Sequence, residues 1–320
     1  MRFVCIGGGT GLFTLLPGLK GTFPSAEITA VVSMMDSGGS TGRLRDEFGY
    51  LPPGDIRKCL VALSNAPQVL RQVMEYRFAA GEGLKGHNLG NLILTALKDI
   101  MPGTPEEKEY RAIEAMAEML NIHGNVYPVT LQDCHLKATL EDGTVIRGET
   151  NIDVPKHDAN KRIATLELDP PAHIFERTRD AIVKADAIVI GPGDLYTSVL
   201  PNLVVSGVKE AIKEARARKA KVIYIVSTMT KHGETDGYTA SEFVRRIEAL
   251  GVQPDMVVVN NGPISEQQRA AYAAEHSHPV KDDIDRKRYH VIEDDLVNRE
   301  AFARHQPYKL AAAIGKVLGI

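Results

Sequence analysis

The sequence predicts an α/β protein: a Rossmann-like, doubly wound, mostly parallel sheet with an inserted antiparallel hairpin region. Three observations predict it. Short apolar runs of strand length alternate with helix-length amphipathic segments along most of the 320 residues. These runs end repeatedly in glycine-rich or polar turns, at 7–11, 36–42, 191–198, 227–237 and 260–263. Residues 125–169 break the rhythm, with alternating segments either side of Asp142-Gly143, a strong hairpin signal.

Taken in order, residues 3–6 form a first strand, 7–11 a glycine turn and 12–19 a helix. A second strand at 28–34 ends in the glycine-rich turn 36–42, and a polar stretch follows at 43–50. Pro52 and Pro53 exclude helix before them, so Asp55 is expected to cap a helix over 56–64. Further helices are expected at 67–80, from His87-Asn88 to residue 100, and at 104–120, the last opened by Thr104 with Glu106 and Glu107. Strands at 127–131, 136–140, 144–149 and 163–168 read together as an antiparallel excursion from the main sheet. The α/β rhythm then returns, with strands at 187–190, 222–226, 256–259 and 289–292 between helices, and a final helix from Pro307. The expectation is one domain over 1–320, with an inserted helix and hairpin region at about 103–170.

Composition bounds the function. The chain is 43% hydrophobic and 25% charged, with a net charge of −3, ordinary for a folded protein with a sizeable core. It lacks the basic excess of a nucleic-acid-binding surface, so no nucleic-acid partner is expected. Cys5, Cys59 and Cys134 are far apart and form no CxxC or Cys/His cluster. That argues against a disulfide framework or structural zinc and for a reducing cytoplasm. Met1-Arg2 runs straight into the first strand, leaving no room for a signal peptide. No apolar run reaches the ~18 residues of a membrane span.

In an open parallel sheet, ligands bind beyond the carboxyl ends of the strands, so the five turns are expected to share one edge. Gly8, Gly9, Thr10 and Gly11 open a helix and offer backbone N–H groups to a phosphate; a turn that only reverses the chain needs fewer glycines. Leu12 stands where the GxGxxG dinucleotide fingerprint needs its third glycine, and no Gly-Lys-Ser/Thr of a Walker A loop occurs. A plain NAD-dependent oxidoreductase is disfavoured accordingly. Asp36 accepts from a ribose hydroxyl, holds Mg²⁺ beside phosphates, or caps its own turn. Gly38, Gly39, Ser40 and Thr41 continue an anion-suited loop, after which Arg43 and Arg45 either clamp phosphate or lie on a solvated surface. Asp55 has a second role open to it as a metal or ligand partner. Asn88 and Asn91 stand at a helix start where amides face a ligand, and His87 reads as a structural histidine. Gly191, Gly193, Tyr196, Thr197 and Ser198 form a hydroxyl-rich turn that suits a phosphate or ordinary capping before Pro201. Asn260 begins the last strand-end turn. There is no GxSxG elbow and no cysteine with a recognisable histidine partner; an enzyme built on these residues works by positioning and charge neutralisation, as phosphoryl transfer does.

GGGTGL at 7–12, DSGGSTGRLRDEFG at 36–49, PPGDIRKCLVALS at 52–64, GHNLGN at 86–91, GPGDLYTS at 191–198 and MTKHGETDGYTASEF at 229–243 resemble the CofD-like superfamily. Their order and spacing are similar to its YvcK branch, the gluconeogenesis factors. The resemblance covers nearly the whole chain and is weakest over 103–170 and 277–295. It implies a cytoplasmic bacterial protein that binds UDP-sugars such as UDP-N-acetylglucosamine, with roles in cell shape, peptidoglycan synthesis and growth on gluconeogenic carbon sources. No cofactor is required for that binding; a protein partner in cell-wall synthesis and a homodimer are compatible with it. By the resemblance, Thr10, Gly11 and Leu12 approach the diphosphate, Asn88 and Asn91 line the same cleft, and Tyr272 and Arg304 contact the uridine. The superfamily's other branch, 2-phospho-L-lactate transferase, implies an alternative: metal-dependent transfer of a phospholactate-type group from a nucleotide diphosphate donor to a deazaflavin, with Mg²⁺ at Asp36 and Asp55. Many relatives have Asp-Asp-Gly-Gly where this chain has Asp36-Ser37-Gly38-Gly39, so one carboxylate of such a metal site is gone. Relatives often have Ser where Asp194 stands, which lets Asp194 supply a carboxylate elsewhere in the cleft. A chain without Trp and with 6% aromatic residues is poorly furnished for a deazaflavin slot.

Overall fold

The computed structural model describes residues 1–299 and 302–319. The chain opens with β1 (Arg2–Gly7), α1 (Gly9–Thr22), β2 (Glu27–Val32), α2 (Gly39–Phe48), α3 (Pro53–Leu63), α4 (Gln68–Glu75), α5 (Leu89–Ile100) and α6 (Pro105–Met119). It continues through β3 (Asn125–Pro128), β4 (His135–Leu140), β5 (Val145–Arg147), α7 (Glu149–Asp153), β6 (Ile163–Asp169), α8 (Glu176–Lys184) and β7 (Ala187–Ile190). A π-helical turn (Leu195–Val199) runs into α9 (Leu200–Leu203), followed by α10 (Val208–Ala217), β8 (Lys221–Ile225), α11 (Ala240–Ala249), β9 (Met256–Asn260), α12 (Glu266–Ala273), β10 (His290–Asp294) and α13 (Pro307–Leu318).

Seven strands form one sheet in the order β10-β9-β8-β7-β1-β2-β3, and every neighbouring pair is parallel. Parallel strands are covered on both faces, which is why residues 3–6 and all of β7 are buried without alternation. The chain leaves β1 toward β2 and β3, then returns to β7 and proceeds outward to β10. The direction of winding therefore reverses between β1 and β7, the position at which open α/β sheets leave a crevice. In α1, Leu12, Leu15, Leu16 and Leu19 are fully buried; their i, i+3, i+4, i+7 spacing puts one apolar stripe on the sheet. Each contributes roughly 1.5–3 kcal/mol of apolar burial before conformational entropy is counted.

The structure corrects four expectations. The strand expected at 127–131 is β3, which pairs parallel with β2 in the main sheet; only β5-β4-β6 form the antiparallel excursion. The polar stretch after residue 42 is helical, since α2 runs from Gly39 until the left-handed Gly49 ends it. Asp55 is not a cap: α3 begins at Pro53, whose missing N–H costs nothing at a helix start, and Asp55 is the third residue of its first turn. The helix expected over 67–80 stops at Glu75, because the chain beyond turns extended and bridges Arg77 to Asn88. The expected cap at Thr104 is present, and Asn88, expected to face a ligand, instead caps α5 by accepting from Asn91 N–H. All three cysteines are free and buried, and among the described residues no helix is long and apolar enough to cross a membrane.

Candidate functional site

The strand-end turns meet as expected. A cleft of about 540 Å³ is lined by Thr10, Gly11, Asp36, Asp55, Gly193, Asp194, Thr197, Ser198, residues 227–231, Tyr272 and Arg304, among others. The loops after β1, β2, β7 and β8 supply most of this wall. Asn260 lies next door, in a smaller cavity of about 280 Å³ that shares Ser227 and Thr228 with the cleft; its amide Oδ1 accepts from Leu296 N at 2.9 Å.

None of the glycines in the first turn has a positive φ. They are required by close approach. A Cβ on Gly8 would stand 2.7 Å from Ser198 Oγ, one on Gly9 2.6 Å from Asp55 Cα, and one on Gly11 would overlap the Pro192 carbonyl. The turn thus clamps the start of α1 against α3 and the loop after β7, with Thr10 and Gly11 left on the cleft wall. Leu12 is fully buried and its side chain belongs to the core.

Charge in the cleft is dense and mixed. Lys58 Nζ donates to Thr10 Oγ1 at 2.9 Å and to Asp55 Oδ1 at 3.2 Å. Burial, together with the Asp55 carboxylate, raises the Asp36 carboxyl above its ordinary range, although Gly38 N–H donates to Asp36 Oδ1 at 2.9 Å. Glu149 and Asp153, from α7, complete that wall. Burial, then Asp36, pushes Glu149 up to about 8. Burial also raises Asp194, against the pull of Lys231. Burial draws Lys231 down, but Asp194 and Asp153 outweigh it and hold the ammonium above its ordinary value; its Nζ stands 3.2 Å from Asp153 Oδ1. Glu234 is raised well above the usual carboxylate range by burial and then by Asp194. Asp153, Asp194 and Glu234 bring one oxygen each within 4.8 Å of one another, with Lys231 as their counter-cation.

Several residues expected at the ligand are turned inward. Tyr196 N–H and Thr197 Oγ1 both donate to Glu234, at 2.9 and 3.0 Å. The Tyr196 hydroxyl is buried 3.0 Å from that of Tyr238. Gly191 has a positive φ, is buried and does not line the cleft. Gly38 is the N-cap of α2 and Gly39 its first residue. Ser40, Asn88 and Asn91 form a buried network away from the cleft. Asn88 N–H and Asn91 Nδ2 donate to Ser40 Oγ at 3.2 and 3.4 Å, which directs the Ser40 proton to His87 Nδ1 at 3.2 Å. Asn91 Oδ1 accepts from Arg57 Nε at 2.9 Å. His87 is structural, as expected. Arg45 is neither a phosphate clamp nor a surface residue: it is buried under the antiparallel sheet, donating to Asp133 and to the Cys134 carbonyl.

Lys58, Glu149, Asp153, Lys231 and His305 line the cleft without having been singled out from the sequence. Lys58 and Lys231 lie inside motifs already recognised, so their position was the available signal. Glu149 and Asp153 sit in the least distinctive stretch, and only their i, i+4 spacing after Gly148 marks them.

An open parallel sheet with a charged, glycine-walled cleft at its reversal point defines a doubly wound α/β protein whose ligand site lies beyond the carboxyl ends of the strands. The family model for 2-phospho-L-lactate transferase CofD matches residues 3–297. The chain is 44% identical over 324 residues to the gluconeogenesis factor of Halalkalibacterium halodurans, covering 97% of this chain and 94% of that one. It is 38% identical over 324 residues to the gluconeogenesis factor of Bacillus subtilis, covering 99% and 98%. The crystal structure of a Bacillus halodurans protein superposes with a TM-score of 0.89 at 43% identity, over 98% of each chain. The chain belongs to the CofD family, among its gluconeogenesis factors of the YvcK type.

Proposed function

We propose that this protein binds a nucleotide diphosphate sugar of the UDP-N-acetylglucosamine type and acts as a regulator of carbon metabolism, cell shape and peptidoglycan synthesis. One observation carries the reading: one cleft is lined both by a helix N-terminus with Thr10, Gly11 and Lys58 and by Tyr272, Phe302 and Arg304. The first set suits a diphosphate. The second suits a base and ribose, through ring stacking and a guanidinium. Calorimetric titration with UDP-N-acetylglucosamine tests it: saturable one-site binding is expected, and no heat with either uridine or guanosine diphosphate sugars would sink it.

One observation favours the transferase reading instead. Asp36 and Asp55 both face this cleft, hard oxygen donors of the kind Mg²⁺ takes beside phosphate. Asp36 and Asp55 would hold the ion, which when bound neutralises diphosphate charge. Lys58 would then orient the same oxygens, and Asp194 would lie beyond them near Lys231. Product from a deazaflavin acceptor, a guanylylated phospholactate donor and Mg²⁺ would establish transfer; nucleotide binding without product leaves the regulator.

A further inference from the structure

Lys231 takes no part in the ligand contacts proposed above, yet three separate elements converge on it. Asp153 ends α7, Asp194 directly precedes the π-helical turn, and Glu234 lies in the loop after β8. One oxygen from each lies within 4.8 Å of the other two. The nest is rigid on its inner side: Glu234 is only 3% exposed and accepts from Tyr196 N–H and Thr197 Oγ1 at 2.9 and 3.0 Å. Oxygens around one hard divalent ion lie roughly 3–5 Å apart, so the nest has the size of a cation site. Carboxylates this close remain ionised together only beside a positive charge. Lys231 supplies one. Its Nζ stands 3.2 Å from Asp153 Oδ1. Burial works against the ammonium, and Asp194, Asp153 and Glu234, the same three groups, outweigh burial. The backbone that delivers it is pinned in a tight turn: Lys231 N–H donates to Thr235 Oγ1 at 2.8 Å, and Lys231 O accepts from Glu234 and Thr235 N–H at 3.1 and 2.8 Å. The side chain is 33% exposed and lines the cleft.

We propose that the Lys231 ammonium is a tethered cation that takes the place of a divalent ion in the nest of Asp153, Asp194 and Glu234. This part of the cleft then works without a metal, and a ligand oxygen that reaches it meets a compact ammonium with rotatable N–H donors. The same charge ties α7 to the loops after β7 and β8. The assignment holds whichever ligand occupies the cleft, and it concerns a place other than Asp36 and Asp55.

The probe is Mn²⁺ alone, counted per chain by loss of the free-ion electron paramagnetic resonance signal. The proteins are wild type, Lys231→Ala, Asp194→Asn and the double variant Lys231→Ala/Asp194→Asn. Lys231→Ala should bind one more Mn²⁺ than wild type, with a Kd on the order of 10⁻⁴ M, as weak carboxylate sites do. The double variant should lose that extra ion, and Asp194→Asn should match wild type. An equal count in wild type and Lys231→Ala overturns the proposal. So does an ion that wild type binds and Asp194→Asn releases, since the nest would then be a metal site beside its lysine. Should Lys231→Ala fail to fold, NMR of the lysine ammonium groups of wild type decides. A Lys231 signal unmoved by millimolar Mg²⁺ supports the tethered cation, and a signal displaced by the ion overturns it.

Discussion

Two polar clusters sit at the carboxyl edge of the sheet, and they behave in opposite ways. The cluster of Ser40, His87, Asn88, Asn91 and Arg57 is buried and closed: its donors and acceptors answer one another. The cluster of Thr10, Asp36, Asp55, Lys58 and Glu149 is open to the cleft, and the Asp36 and Glu149 carboxyls are pushed upward by burial and by neighbouring carboxylates. The residue types are similar. The first set is satisfied internally and fixes where α2, α3 and α5 meet; the second has capacity left over, and capacity left over is what a ligand uses.

That contrast can be broken by substitution. The largest effect is expected in the closed cluster. Asn91→Leu removes the acceptor of a buried guanidinium and should cost about 3 kcal/mol of folding stability, seen as a Tm lower by roughly 8 °C, with the affinity of the folded protein for nucleotide unchanged. Loss of binding without loss of stability would reverse the assignment of the two clusters.

Glu149→Gln sharpens the comparison through pH. The folded carboxyl of Glu149 lies near 8 against an ordinary value of 4.5. The folded state therefore holds the proton longer than the unfolded chain, and the stability present below 4.5 is lost as pH rises toward 8. The variant removes that loss: its Tm at pH 8.5 should exceed wild type by about 5 °C, with little difference at pH 5. Identical pH profiles would show that Glu149 is better solvated than its position implies.

The smallest effect is expected at Lys58. Its bonds to Thr10 and Asp55 are partly exposed, so Lys58→Met should move the Tm by only about 1 °C. Binding of a nucleotide diphosphate should weaken roughly tenfold, measured by calorimetry, because a charge-assisted contact is lost. Unchanged affinity would take the diphosphate away from this wall.

Much of the fold and part of the site were legible in the chain itself. Apolar runs of strand length separated by helices determine a parallel sheet, since only strands covered on both faces read as residues 3–6 and 187–190 do. The glycine at each strand end, and the side on which ligands gather, follow from the same pattern. Local chemistry likewise determines the caps at Asn88 and Thr104, which need only neighbouring N–H groups. Tertiary structure decided the rest. That β3 joins the main sheet depends on a partner 96 positions earlier in the chain, Thr29 opposite Asn125. Asn91 and Asp36 look alike in sequence, both polar beside a glycine-rich helix start, and only packing encloses one and leaves the other facing the cleft. Gly11 is required by the Pro192 carbonyl, some 180 residues away in the chain, and Glu149 reaches the site on α7, the short helix that follows β5 of the antiparallel sheet. Hydrogen-bond satisfaction is a property of assembled surfaces, and a sequence lists the groups without saying which of them will already be paired.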